Sequence, residues 1–428
     1  MHWPSRRGTW FALLAVAVLV AVAVPVAVLA TGGSAPPSAR VLRWREDIAY
    51  LASELPQVRA GGLGPVSRTT WDSAASRLEA AVPQLTEGQL LVRLARMVAM
   101  LHDDETYLQF PAKPFFPLDA QWFGHDLYLL TVPAADRALL GAQVLAVDGQ
   151  PIARVMDRIG SVIGYQDTGY LDVTETGDLD DASVLNWLGI TRSASSAEFT
   201  VRTATGRQQT VLFRTGRAAG DIGQPDLLFS FAPGLAHVPL PLYLHDAAEP
   251  YWLDVLASQH AVYLKYNQCV DTTGFQQLVA QAVALLNRNP SYRLIVDLRD
   301  NVGGDTGPFG SLVNDIETYP QLDRPGRVIG LVNQFTFSAA RADVVALQQA
   351  HVLLMGVPPE DPIDEYGDDQ ALQLPDSDIT VVYTGGVVNG SAVAEGTPGV
   401  VIAPTLRQVL AGQDPVLAAA LGYGRGVR

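Results

Sequence analysis

The chain's strongest constraint on fold is an alternation near its C-terminal half. "HAVYLKYNQC" at 260–269 reads as a strand, and "TGFQQLVAQAVALLNRN" at 273–289 as an amphipathic helix. "YRLIVDLRD" at 292–300 has the near-continuous apolar run of a strand buried on both faces. A further strand, "RVIGLVN", a helix, "SAARADVVALQQA", and the strands "HVLLMGV" and "DITVVYT" follow. Strand–helix–strand order implies an α/β core, placed at 216–428.

The preceding segments have other periods. Residues 41–110 read as a helical domain, with apolar positions at Trp44, Ile48, Leu51 and Leu55. Its later helices carry Thr70 as a candidate cap and begin at Thr86. From 111 to 215 the pattern is β-rich, with turns at Asp148-Gly149 and Thr205-Gly206 and a helix after Pro151. "TGGSAPPSAR" places a linker at 32–40. Residues 1–31 form a signal anchor or signal peptide. Arg6 and Arg7 precede 21 uncharged residues, 10–30, a run long enough to span a bilayer, while "VLA" before Thr31 suits a cleavage site. Either way the bulk of the protein is expected outside the cytoplasm, membrane-anchored or secreted.

Several function classes drop out. With a net charge of −15 and no basic stripe, nothing offers to neutralise phosphates, so no nucleic acid is expected as partner. The single cysteine, Cys269, has no internal disulfide partner and reads as core filler. No P-loop, GxGxxG or zinc spacing occurs, and adjacent residues such as "HDDE" rarely converge on one metal ion.

Two stretches carry candidate chemistry. In "LIVDLRDNVGGD", Gly303 and Gly304 follow a buried strand at its C-terminal end, where open α/β sheets bind ligands. Paired glycines let backbone N–H groups approach a developing oxyanion; a plain loop explains them too. In "VNQFTFSAARADVV", Ser338 sits where a strand turns into a helix. It is either a helix cap or a nucleophile whose own helix offers the Ala339 N–H to an oxyanion.

Taken in order, "YLKYNQC", "LIVDLRDNVGGD", "NQFTFSAARA", "LPDSDITVVY" and "PTLRQVLAGQDPVL" resemble the tail-specific protease superfamily, which includes the C-terminal-processing peptidases and the catalytic part of tricorn protease. The match is with its secreted bacterial branch and spans roughly 43–420. The resemblance implies a crotonase-like α/β core, an N-terminal helical segment and a small β-rich inserted domain. It puts Ser338 at the nucleophile position and Gly303 or Gly304, with the Ala339 N–H, at the oxyanion. It implies no cofactor, and peptides or unfolded polypeptide ends as substrates.

The departures concern the base. The region after the serine, "PPEDPIDEYGDD", lacks the lysine of the C-terminal-processing members. The secreted branch carries a Gly-Asp-x-His-Thr element; here it is "HDDET", with Asp103 and Thr106 in place and Glu105 at the histidine. The branch's "PTGG" turn is Pro358–Asp361. Three answers stay open. Glu105 takes the proton, its pKa raised by repulsion from Asp103 and Asp104. Another histidine, His102 or His125, serves. Or nothing does, and the chain is a degenerate peptidase that binds peptide or scaffolds at the membrane. Arg299 is expected to anchor a loop by pairing with carboxylates. Asp368, after "EYG", reads as a solvated turn or a substrate-facing acid, Glu395 is a loosely aligned candidate for orienting a catalytic group, and Asn389-Gly390-Ser391 fits either a glycosylation acceptor or a hairpin turn.

Overall fold

The computed structural model describes residues 37–111, 114–166, 168–216, 239–360, 366–387 and 396–424. The apolar segment 10–30, Asn389–Ser391 and Glu395 lie outside them. Among the described residues no helix is long and apolar enough to cross a membrane.

Three helices open the described chain: α1 (Ala39–Val58), α2 (Arg68–Ala81) and α3 (Glu87–Ala99). Each starts on a hydroxyl cap, as isolated N–H groups at a helix start require. Thr86 and Gln89 form a reciprocal capping box on α3. On α2 the cap is Ser67 rather than Thr70: the helix begins a turn earlier than the apolar spacing suggested, and Thr70 supplies the N–H that Ser67 Oγ accepts.

Next comes an antiparallel sheet built from β2 (Asp119–Phe123), β3 (Asp126–Thr131), β4 (Gln143–Val147), β6 (Ser196–Arg202) and β7 (Gln208–Arg214), with the short β5 (Gln150–Pro151) paired to β4. Helices α4 (Ile152–Gly160), α5 (Thr168–Asp178) and α6 (Ala182–Trp187) fall between β5 and β6. Asp148 takes a positive φ at the predicted turn, and its carboxylate accepts the N–H groups of Arg192 and Glu198, so the turn is pinned to its neighbours.

The core is a six-stranded sheet. In chain order its strands are β8 (Tyr251–Leu256), β9 (Ala261–Tyr266), β10 (Arg293–Asp297), β11 (Val328–Val332), β12 (Leu353–Gly356) and β15 (Val400–Val401). Their spatial order is β15-β12-β11-β10-β9-β8, all parallel except β8. Side chains alternate between faces. Val262, Leu264, Leu294 and Val296 pack under α7 (Thr272–Arg288), α8 (Gly310–Thr318) and α9 (Ala339–Gln349). Ala261, Tyr263, Ile295 and Ile329 face α11 (Pro415–Gly422), which follows the short α10 (Leu406–Leu410). Burial on both faces is what the apolar "LIV" run demands.

A third sheet joins the N-terminal part to the rest. β1 (Tyr107–Gln109) pairs with β14 (Thr380–Val387), which pairs with β13 (Tyr366–Gln373). Its Leu372 and Val381 belong to the same continuous apolar core as α1–α3 and the small antiparallel sheet.

Charge is buried where β10 ends. Asp297 and Lys265 are fully buried, and Arg299 nearly so. Arg299 pairs with Asp297 and with Asp414, the N-cap of α11, so the expected anchoring is present and ties the C-terminal helix to this strand. Tyr263 donates to Asp297 at 2.7 Å, Lys265 donates to the Arg299 carbonyl, and the Tyr243 ring lies 4.0 Å from the guanidinium. Burial alone would raise the Asp297 carboxyl, but Arg299 and Lys265 outweigh it and hold it below the ordinary range. Burial lowers Lys265 despite Asp297.

Replacing Asp297 by Asn leaves the buried Lys265 without a carboxylate and Arg299 with Asp414 alone, and urea unfolding at pH 7 should show a loss of about 3 kcal/mol. Because the folded Asp297 value is depressed, its contribution is present above the ordinary value of 3.8 and is lost as pH falls through the lower folded value. The gap between wild type and Asp297→Asn should therefore narrow in strong acid.

Candidate active site

Two turns meet at the C-terminal ends of the neighbouring strands β10 and β11. The first runs from Leu298 to Gly304, the second from Asn333 to Ser338. They are joined at three points. Phe337 N–H donates to the Asn301 carbonyl at 2.9 Å. Asp300 and Asn333 bond reciprocally: Asp300 N–H to Asn333 Oδ1 at 3.0 Å, and Asn333 Nδ2 to Asp300 Oδ1 at 2.8 Å. The buried Thr336 hydroxyl donates to the Leu298 carbonyl at 3.0 Å.

Ser338 ends the second turn and precedes the first residue of α9. Its φ of 53° lies in the left-handed region, which costs a non-glycine residue on the order of 1–3 kcal/mol. The residue is exposed, and its side chain makes no capping hydrogen bond to α9. The capping explanation for this serine therefore fails: the backbone is bent so that the side chain stands at the surface instead of folding onto the helix. Its neighbours point into different cores. Phe337 packs in the N-terminal core and Ala339 in the core beneath the six-stranded sheet, so the serine occupies the seam between them.

Gly303 packs directly against it. A Cβ there would stand 2.7 Å from Ser338 Cβ and 2.9 Å from the Phe337 carbonyl oxygen, closer than real contacts allow, and φ is +85°. The Gly303 N–H, though, donates to Asn301 Oδ1 at 2.8 Å. That leaves Gly304. Cys269 N–H bonds the Gly303 carbonyl and Asp305 N–H bonds the Cys269 carbonyl, a parallel bridge that turns the Gly304 N–H away from Cys269. Neither the Gly304 nor the Ala339 N–H donates to an acceptor among the described residues. Gly303 supplies clearance, and the Gly304 and Ala339 N–H groups are the ones left to donate.

The "HDDET" loop is held rigidly. Asp103 forms a buried 2.6 Å ion pair with Arg59 and accepts the Thr106 and Thr384 hydroxyls. A guanidinium and two hydroxyls thus hold Asp103, the first of the three neighbouring acids. Glu105 is half-buried, with its N–H on Asp103 Oδ1 at 3.1 Å. The loop connects to the serine turn through α5. Tyr170 donates to the Asp104 carbonyl at 2.9 Å, and its ring meets that of Phe337 edge-on at 5.8 Å. His102 is exposed, its ring 6.2 Å from that of Tyr165. His125 sits at the exposed β2–β3 hairpin and acts electrostatically on Asp172, two positions from Tyr170 and so on another side of α5. Asp368 is exposed, with a φ of 61°.

Sequence reasoning missed Asn301, Asn333, Thr336 and Tyr170. Asn and Thr beside a strand end are turn formers that bond nearby backbone, which was the available signal for the first three. Nothing local marked Tyr170.

No family model matches the chain, and no curated protein does. Among solved structures, mature CPAF complexed with lactacystin superposes with a TM-score of 0.63 at 14% identity, covering 90% of this chain and 100% of that one. A second crystal structure of mature CPAF gives 0.58 at 13%, covering 91% and 100%. CPAF is a member of the tail-specific protease family. At this identity the likeness concerns architecture: the chain has the fold of the tail-specific proteases that its motifs resemble.

Proposed function

We propose that the chain is a serine peptidase of the tail-specific type, built on a crotonase-like core, with Ser338 as nucleophile. The observation that carries this reading is the exposed serine in a left-handed conformation against Gly303, at the C-terminal edge of a parallel sheet. A cap, the commonest reason for serine at this position, does not account for that geometry.

The serine oxygen attacks the scissile carbonyl. The oxyanion that forms is held by the Gly304 and Ala339 N–H groups, the latter at the positive end of the α9 dipole. Glu105 accepts the serine proton and returns it to the leaving amine. The fixed loop and its link through Tyr170 to Phe337 support this role. A carboxylate base works only when ionised, so the rate falls as pH drops through its pKa. Substrates are peptides or unfolded polypeptide ends, met outside the cytoplasm, with the N-terminal apolar segment as membrane anchor or export signal.

The second reading is a peptide-binding relative without hydrolysis, and the glutamate at the histidine position favours it. The two are separated by a fluorophosphonate probe applied to the detergent-solubilised full chain. Labelling that disappears in Ser338→Ala supports the peptidase; no labelling between pH 4 and 9 leaves binding alone.

Three outcomes are expected of the live enzyme. Ser338→Ala lowers kcat by about a thousandfold or more in a peptide-cleavage assay. Gly303→Ala, whose methyl group would meet Ser338 Cβ, loses labelling while circular dichroism shows the fold retained. Glu105→Gln removes the acid limb of the pH–rate profile together with most of the rate; a variant still active with a maximum near pH 8 sinks Glu105 as base.

A further inference from the structure

Beneath the Gly303–Gly304 turn runs a chain of buried polar groups that the reaction above does not use. Asn301 and Cys269 are fully buried, and Asp343 is 5% exposed. Asn301 Oδ1 accepts the Gly303 N–H at 2.8 Å and the Cys269 thiol at 3.6 Å, while its Nδ2 donates to the Tyr266 carbonyl at 3.0 Å. The same thiol lies 3.4 Å from Asp343 Oδ2, on the helix that Ser338 begins. Leaving such groups unpartnered is costly, and apolar residues would fill the space more cheaply. The chain links the oxyanion turn to the nucleophile's own helix.

We propose that Asn301 is a positioning residue that fixes the direction of the Gly304 N–H beside Ser338, braced from below by Cys269 and Asp343. This rests on the peptidase reading for its effect on rate, but not for its effect on the turn. With the Gly303 N–H drawn down to Asn301 and the Gly303 carbonyl held by Cys269 N–H, the turn has its peptide planes set on two sides. The Gly304 N–H is then aimed before substrate arrives, the condition under which a donor to an oxyanion is worth most.

The brace is uncharged at neutral pH. Burial pushes Asp343 up to about 8. Burial, and after it the neighbouring Asp343, push the Cys269 thiol well above its ordinary range. Tyr266 faces both from β9, with Asp305 beside it, and burial raises its hydroxyl out of range. Above pH 8 Asp343 ionises and sets a buried anion under a turn that must hold a second one, so turnover should decline.

The test uses the full-length chain and measures two things: the rate of Ser338 labelling and peptide cleavage, and hydrogen–deuterium exchange over 300–306. Asn301→Ala is expected to lower kcat and the labelling rate about 100-fold with little change in KM, and to speed exchange across the turn. Cys269→Ala should do the same in weaker form and Cys269→Ser, which keeps a donor, should recover most of the loss; this pair serves if Asn301→Ala does not fold. Asp343→Asn should raise the ratio of kcat at pH 9 to kcat at pH 7 at least threefold. Unchanged exchange in Asn301→Ala and Cys269→Ala overturns the brace, as does faster exchange with labelling at the wild-type rate. If wild type itself is never labelled, the peptidase reading falls, and the exchange comparison alone decides the brace.

Discussion

The site depends on the joining of two turns that lie far apart in sequence. Asn301 accepts from Phe337, Asp300 and Asn333 bond each other twice, and Thr336 reaches the Leu298 carbonyl. Each of these bonds is worth only about 1 kcal/mol net. Their effect lies in geometry: together they leave the second turn no freedom to slide against the first, so Gly303 is pressed onto Ser338. Strain at Ser338 is tolerable because its surroundings over-determine it. The parallel neighbours β10 and β11 make this possible, since in-register strands deliver both turns to the same edge.

The serine's flanking residues extend that constraint into the whole molecule. Phe337 enters the core shared by the N-terminal helices and the small sheet, while Ala339 and Ala340 enter the core beneath the large one. Tyr170 then couples Phe337 to the loop carrying Glu105, and Arg59 couples that loop to the end of α1. A site at such a seam draws its parts from several elements, each rigid by its own packing, which suits a reaction requiring nucleophile, donors and base within hydrogen-bond reach of one substrate bond.

The buried charges beside the site have a different task. Asp297 at the end of β10, Arg299 within the first turn, Lys265 on β9 and Asp414 at the start of α11 gather beside that turn and fasten it to α11. Hydrophobic residues of equal volume would serve stability as well or better. What the network adds is direction, since bidentate pairing of Arg299 with Asp414 holds strand end and helix start in one orientation.

The sequence by itself determined the elements and pointed to the candidate stretches. The run "YRLIVDLRD" could only be a strand buried on both faces, and the paired glycines and Ser338 followed from their places after strands. Period and turn chemistry are local properties, so each could be read within a few residues. The tertiary structure decided what those residues do. That Ser338 bends away from its helix, that the Gly303 N–H is taken by Asn301 while the Gly304 N–H is not, and that Arg59 holds Asp103 all depend on partners that no spacing reveals. Hydrogen-bond direction and side-chain exposure are set by contacts between segments separated by tens to hundreds of positions, and such contacts exist only once the chain has folded.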